Sequence, residues 1–400
     1  MADSLRLELA ASRGAHHLQL QEKLVLHYWE SGNYHECYLQ AVQLRDLSKK
    51  WNFPVLEAEG WYHMARAATR KGQEGQALQY HLEALRLRQH SNDALMLMKS
   101  YHNIGVLFHK KEAYQQAKEN YTLALGLARM RDQTDVIPTI LRNLGLVSKE
   151  LRFFRLAQGY YEEALQMVNA QGDTVKQAML LNHIAVLKKD QGEYAEALRY
   201  YEQASELAQN TNQQQCEAYC LNNIGQVYNL KKEFGAAIPY LEQSLRMKEA
   251  LGDKNQGGTL FNLGIAHYGV QEIDEAISYL SQASAAFGDF ATGESIQTHR
   301  LLSQAYEKAG LIHKAAASAE KAEQLQQEHE ETQQYHAAQM QEAAAALDNI
   351  KRAMDNASIR QKKAKISGMI TLFSGGVALI VLISLFVRKL RRAQETTYDV

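Results

Sequence analysis

The chain repeats one residue pattern about every 40 positions, and this period constrains its fold more than any other feature. The anchor of the pattern, a small or apolar residue, returns at intervals of 40, 40, 40, 40, 40, 39 and 39 residues. Twelve residues after the anchor stands Cys37 in the first copy and an alanine in each of the other seven. The anchors are Val25, Ala65, Gly105, Gly145, Ala185, Gly225, Gly264 and Ser303. A fixed period of this kind predicts stacked units that pack mainly against their neighbours.

The units are predicted to be helical. Apolar and small residues recur at helical spacing through 194–207, and no stretch alternates apolar and polar residues with a period of two. The whole chain contains only three prolines, Pro54, Pro138 and Pro239. Since proline interrupts helices, this scarcity favours an all-α fold.

The pattern resembles the tetratricopeptide repeat. The resemblance is carried by G-x-x-Y at Gly225 and Tyr228 and by A-x-x-x-Y at Ala117 and Tyr121. It implies a right-handed α-solenoid of about eight helix pairs over residues 19–326, after an N-terminal segment at 1–18. The common unit has about 34 residues, so we expect longer helices with the same turns.

Residues 327–365 are predicted to form a helical stalk, because 311–367 contains neither glycine nor proline. A seam of apolar residues follows a seven-residue register for about three heptads. The seam consists of Met340, Ala343, Leu347, Ile350, Met354 and Ala357. Two interpretations are open: a coiled coil that joins two copies in a homodimer, or a solvated connector without a partner.

An uncharged apolar segment follows at 366–387, and its 22 residues are enough to cross about 30 Å of hydrocarbon as a helix. We therefore predict a single transmembrane helix, a basic tail at 388–400, and the lipid bilayer as a partner. The expected location is a membrane, specifically the bacterial inner membrane. Basic residues stand on both sides of the segment, so its charges do not decide on which side of the membrane the repeats lie.

No enzyme signature occurs in the sequence: phosphate-binding glycine loops, zinc-protease motifs and nucleophile elbows are all absent. We expect no catalysis, no cofactor and no metal. The net charge of −1 gives no drive toward nucleic acid. Cys216 and Cys220 are four residues apart, which suits a redox or metal pair, but we favour small apolar residues in helix packing because no further Cys or His cluster accompanies them in sequence.

The candidate binding residues form a row of amides on the first helix of successive units. A carboxamide offers donors and an acceptor, so it can satisfy both the N–H and the C=O of a bound peptide. The alternative is that these side chains bond to one another and hold the repeats in register. The row consists of Asn103, Asn143, His183, Asn223 and Asn262, with Asn182 and Asn222 immediately before two of them.

One turn further along the same helices lie basic residues, among them Lys149 and Lys189. They would favour an acidic peptide in this part of the groove. Alternatively, they are solvated charges that suit the negative end of a helix dipole.

Together, these features predict a membrane-anchored scaffold that binds a peptide or protein partner through its concave groove. The order of repeats, stalk and span also resembles the sensory half of bacterial membrane receptors. The alternative function is therefore a sensory module of a signalling receptor whose output domain is separate or missing.

Overall fold

The computed structural model describes residues 1–89, 93–288 and 290–395. For residues 358, 361–362 and 364–395 it describes the backbone alone. Throughout this part of the chain the regular structure is helical, with no strand, as the sequence predicted. Helix α1 (Ala2–Ala11) precedes eight helix pairs.

The first helices of the eight pairs carry the anchor residues. They are α2 (Gly14–Glu30), α4 (Pro54–Arg70), α6 (Ala94–Lys110), α8 (Ile137–Glu150), α10 (Thr174–Asp190), α12 (Gln214–Leu230), α14 (Gly257–Gly269) and α16 (Gly293–Lys308). The second helices are α3 (Tyr34–Lys50), α5 (Glu74–Arg88), α7 (Tyr114–Met130), α9 (Phe154–Gln171), α11 (Tyr194–Asn210), α13 (Phe234–Ala250), α15 (Ile273–Phe287) and α17 (Ile312–Glu395).

The same turn joins the two helices of every pair. One residue in each of these turns has a positive φ, whether it is glycine, as at Gly72 (φ 74°), or not, as at Arg152 (φ 62°). The next residue closes the turn, as when Phe153 N donates to Ser148 O (2.8 Å). This is the hydrogen bond that ends helices through a left-handed residue. Because non-glycine residues adopt the same conformation, helix packing imposes the turn and glycine is not required.

The anchors let the two helices of a pair approach closely. A Cβ atom added at Gly105 would lie 2.8 Å from Cδ1 of Tyr121, and one added at Gly264 would lie 2.5 Å from Cδ2 of Leu280. The tyrosine is fully buried, as is Ala117 one turn before it. A small anchor and a large side chain sixteen residues later therefore form one packing unit.

The first helices lie on the inner side of the array. Successive first helices contact one another, for example α10 with α12 and α12 with α14, while the second helices of successive pairs contact one another less. A row of units that is closer together on one side curves toward that side. The concave surface of residues 1–343 is therefore lined by first helices.

The chain divides into two compact units, residues 1–343 and 344–400. This division lies inside the predicted stalk, whose boundaries at 327 and 365 stay a prediction. Within the first unit, α17 passes close to the turn between α6 and α7. Lys111 Nζ lies 2.9 Å from His336 Nε2, and Gln333 Nε2 donates to Glu112 Oε2 (3.3 Å). The last helix thus contacts the third pair.

The apolar segment 366–387 belongs to α17, which is one continuous helix through the predicted stalk and span. Its side chains lie outside the described residues. Within the part of the chain that the structure describes, no helix is both long enough and apolar enough to span a membrane.

Candidate functional site

The predicted amide row forms hydrogen bonds from one pair to the pair before it. Each bond joins residues 40 or 41 positions apart, so it follows the period of the sequence. Asn103 Nδ2 donates to Tyr62 Oη (3.3 Å), Asn143 Nδ2 lies 3.2 Å from His102 Nε2, Asn223 Nδ2 donates to Asn182 Oδ1 (3.1 Å), and Asn262 Nδ2 donates to Asn222 Oδ1 (3.2 Å).

These bonds agree with the interpretation that the amides hold neighbouring repeats in register. Asn143 and Asn262 are also buried, with 6% and 5% of their surface exposed, so little of them reaches a ligand. Asn103, Asn182, Asn222 and Asn223 are only half-buried. The role of the row in ligand binding stays a prediction, and these four are the members that a ligand would touch.

His183 occupies the place of the asparagine in the fifth pair. Its ring stacks on that of Tyr161, with centroids 5.9 Å apart. Burial, together with the positive charges of Arg142 and Lys149, lowers the pKa of His183 to about 4. His183 is therefore neutral at pH 7, with one ring nitrogen that donates and one that accepts.

A cavity of about 590 Å³ opens beside His183 and Asn182. Its other walls include Met179, Gln215 and Tyr219. Asn182 Oδ1 accepts from Asn223, while the Asn182 amide nitrogen has no acceptor among the described residues. Asn182 is half-buried and lines the cavity, so this nitrogen is accessible to solvent or to an acceptor on a ligand. The cavity thus offers amide donors beside an apolar wall.

Cys216 lines the same cavity, and Cys220 lies one turn further along the helix. Cys220 Sγ is 3.8 Å from Asn182 Oδ1 and is buried. A hydrogen bond with Cys220 lowers the pKa of Cys216. Among the described residues, no three His, Cys, Asp or Glu side chains converge to hold a metal ion.

The predicted basic residues are paired within the array. Lys149 Nζ lies 2.7 Å from Glu150 Oε1 and 3.2 Å from Asp190 Oδ2. Lys189 Nζ donates to Gln226 Oε1 (2.7 Å) and lies 3.7 Å from the same aspartate. Lys149 and Lys189 therefore bridge successive pairs, and nearby carboxylates offset much of their charge.

A second cluster, which the sequence did not predict, lies at the N-terminal end of the concave surface. Arg66 and Arg70 lie one turn apart on α4 and contact Trp29 of α2. The Arg66 guanidinium carbon is 3.6 Å from the Trp29 ring centroid. A signal was present, because Arg70 and Lys110 both stand five residues after an anchor. Only the three-dimensional structure shows that, among the described residues, no carboxylate lies within ion-pair distance of either arginine, although Glu59 acts on Arg66 from further away.

Comparison with known families supports the repeat assignment. Tetratricopeptide repeat models match residues 136–210 and 176–250, and a further tetratricopeptide repeat model matches residues 99–129. Residues 99–129 and 136–250 are tetratricopeptide repeats. These matches include the third pair and run from the fourth pair to the sixth. No curated protein matches the chain significantly.

Several solved structures share this fold. A Rap protein complexed with Competence and Sporulation Factor is 10% identical, with a TM-score of 0.57 over 83% of this chain and 92% of that one. A tetratricopeptide repeat protein from Parabacteroides merdae is 14% identical, with a TM-score of 0.54 over 72% and 98%. The apo quorum sensor NprR from B. thuringiensis is 14% identical, with a TM-score of 0.50 over 76% and 97%. At these identities the likeness shows the fold alone.

Proposed function

We propose that the array is a scaffold whose concave surface binds an extended peptide segment of a partner protein. The observation that carries the proposal is the Asn182 amide nitrogen, which has no acceptor among the described residues and stands at a cavity of about 590 Å³. A peptide carbonyl is an acceptor of the right kind for this group. Asn222 and Asn223, one pair later, would continue the contact along the peptide.

The solved structures support a binding role without assigning it. The Rap protein was solved with Competence and Sporulation Factor bound, and NprR is a quorum sensor. Arrays with the fold of this chain therefore serve recognition and sensing in other proteins. For this chain, the same role rests on its own amide row and cavity.

We further propose that segment 366–387 anchors the scaffold in a membrane, with the bacterial inner membrane as its location. The support is the sequence itself, since 22 uncharged, largely apolar residues suffice to span the hydrocarbon layer. The second candidate function is a sensory module that signals through a separate partner. The order of array, long helix and apolar segment favours it.

A reporter fused after Val400 separates these two candidates. In the sensory module, the repeats lie outside the membrane and the reporter lies in the cytoplasm. A reporter that is active only in the cytoplasm should therefore give a signal. A silent cytoplasmic reporter together with an active external one would place the repeats in the cytoplasm and exclude the sensory candidate. If the full chain appears in the soluble fraction after carbonate extraction of the membranes, the anchoring proposal is wrong.

The binding proposal is tested by selection and mutation. The full chain, purified in detergent, is presented with a phage library of random dodecapeptides, and the Kd of an enriched peptide is then measured by fluorescence anisotropy. Replacing Asn182 and Asn222 with alanine is expected to weaken binding about tenfold, the effect of losing one or two hydrogen bonds. Asn169→Ala with Asn210→Ala, on exposed faces of second helices, is the matched control and should bind as the wild type does.

Two results would contradict the groove assignment. One is a selection in which no peptide is enriched over a control surface that carries no protein. The other is an Asn182→Ala, Asn222→Ala variant with native helicity and unchanged Kd, which would leave the amides with a purely structural role.

A further inference from the structure

Cys216 and Cys220 place two thiols on one face of α12, beside the cavity of about 590 Å³. Side chains that are four residues apart on a helix are neighbours on its surface. The two sulfur atoms are close enough for a hydrogen bond to link them. Cys216 is half-buried and lines the cavity, while Cys220 is fully buried. The pair therefore combines a thiol that solvent reaches with a thiol that is shielded from it.

A third sulfur atom is available on the neighbouring first helix. Met179, on α10, lines the same cavity as Cys216. Cys220 Sγ lies 3.8 Å from Oδ1 of Asn182, which stands about one turn after Met179, so α10 packs against the face of α12 that bears the thiols. No carboxylate is among the residues that line the cavity. The region is thus rich in soft sulfur donors and poor in hard anionic ones.

The spacing of the two thiols suits a bridging cation better than a disulfide. The Cβ atoms of residues four apart on a helix are separated by about 5–6 Å, whereas a disulfide brings two Cβ atoms to about 3.5–4.5 Å. A direct S–S bond would therefore distort α12, which is helical throughout Gln214–Leu230 and packs between α11 and α13. A cation between the sulfurs adds the length of two metal–sulfur bonds, each about 2.3 Å for zinc, and spans the gap without that distortion.

The number of donors selects the kind of cation. Zinc takes four protein ligands in structural sites and three in catalytic ones, but nowhere in the described part of the chain do three His, Cys, Asp or Glu side chains converge. Calcium requires at least about six oxygen ligands. Thiolate and thioether ligands select copper(I), which two thiolates satisfy in a linear arrangement.

We propose that Cys216 and Cys220 bind one copper(I) ion, with the Met179 thioether as a third, weaker donor. Both thiols release their protons to solvent on binding, because the thiolate is the metal ligand. The bound unit of one monovalent cation and two thiolates carries one net negative charge. Cys216 provides the entry path, since it is the thiol at the cavity. This inference goes beyond the proposed function and does not require a peptide to bind.

The site is tested by titrating copper(I) into the full chain, purified in detergent and kept reduced without air. Bicinchoninate, a chelator that is coloured when it holds copper(I), serves as the competitor, and its absorbance reports the metal that the protein removes. The wild-type chain is expected to remove one copper(I) ion per chain. X-ray absorption of the loaded protein should show sulfur neighbours and no oxygen ligand. Zinc, titrated in the same way against a zinc indicator, should not be retained.

The third cysteine of the chain provides the matched control. Cys37 is buried in α3 of the first pair. Cys37→Ala and Cys216→Ser each leave two thiols, but only Cys37→Ala keeps the adjacent pair. Cys37→Ala should bind copper(I) as the wild type does. Cys216→Ser should lose more than the factor of about 10–100 in affinity that removal of an outer-shell partner costs. Because Cys216 is half-buried, serine should be tolerated there, and circular dichroism checks the fold.

The outcomes decide between a metal site and helix packing. A wild-type chain that removes no copper(I) from bicinchoninate would show that the thiols serve packing alone. Equal affinity in Cys216→Ser and the wild type would make the bound copper(I) adventitious. Retention of zinc through the same cysteines would overturn the assignment to a soft monovalent cation, and unchanged affinity in Met179→Leu would remove the thioether from the site. None of these results depends on the peptide selection, so the two proposals can fail separately.

Discussion

The first three helix pairs and the fifth to seventh pairs share one backbone arrangement but differ in some of the polar interactions that join their helices. In the N-terminal region the conspicuous interactions involve charge: Arg88 with Glu59, and Arg66 over Trp29. In the later region the amides of Asn223 and Asn262 bond to the pair before, while Lys189 and Asp190 still bring charge to the first helix of the fifth pair. Anchors and turns are alike in both regions, so the packing leaves these positions open to variation.

Two sets of residues therefore have separate roles in this array, one in helix packing and one in surface chemistry. Small anchors and their large partners determine how helices stack, and they recur in both regions. Certain positions near each anchor, such as those of Asn103, Arg66 and Arg70, face the neighbouring first helix or the concave surface, and their residues differ between the regions. A ligand that contacts both regions would meet cations at one end and amides at the other.

The largest expected loss of stability follows from removing the buried charge in the N-terminal region. Arg88→Met leaves the Glu59 carboxylate, 8% exposed, without its 2.6 Å partner. Removing one member of a buried ion pair lowers the free energy of unfolding by about 3–5 kcal/mol. Asn223→Ala, which removes a neutral amide in the later region, should lower it by only about 1 kcal/mol. Urea unfolding of both variants measures the difference.

The control for this prediction is the double variant Glu59→Leu, Arg88→Met. It should recover most of the lost stability, because neither charge then remains buried. A double variant as unstable as Arg88→Met alone would show that lost packing, and not an unpaired carboxylate, accounts for the effect.

Acid should weaken the N-terminal region first. Burial and the charges of Arg66 and Arg88 lower the pKa values of His63 and His81 to about 3. Unfolded histidines titrate near 6.5, so between these values the unfolded chain binds more protons and stability falls as pH falls. From pH 6.5 to pH 5 each histidine should contribute a loss of about 1–2 kcal/mol.

Hydrogen exchange at pH 5 and pH 7, corrected for intrinsic rates, measures this effect locally. Protection in α4 and α5 should fall more than protection in α12 and α13, which contain no histidine. Replacing His63 and His81 with glutamine should reduce the pH dependence. Equal acid sensitivity in the two pairs of helices would contradict the difference between the regions.

The smallest effect tests the shared packing. Gly105→Ala and Gly264→Ala each place a Cβ against a buried side chain and should lower stability by about 1–2 kcal/mol in both regions alike. Gly126→Ala, where a Cβ meets nothing within 4 Å, is the control and should raise stability by about 0.5–1 kcal/mol. Thermal unfolding by circular dichroism suffices. A clear difference between Gly105→Ala and Gly264→Ala would show that the regions pack differently.

The sequence predicted the features that depend on residues within one period. The 40-residue interval gave the helix pairs, and the small anchors gave the close approach that Gly105 and Tyr121 display. It could not predict which charges would be offset, because Lys149 pairs with Asp190 in the next unit while Arg66 stacks on Trp29 in the previous one. The partner of each charged side chain depends on the direction in which that side chain points across a helix interface. The period of the sequence carries no information on that direction.

The contact of α17 with the third pair also bears on the order in which the array forms. Most contacts join neighbouring pairs, so they are close in sequence and can form early. The bonds of Gln333 with Glu112 and of His336 with Lys111 join residues 221 and 225 positions apart. They require the intervening pairs to be stacked already, because closing so long a loop in an unfolded chain is entropically unfavourable. Formation of this contact therefore reports that the array from the third pair onward is complete.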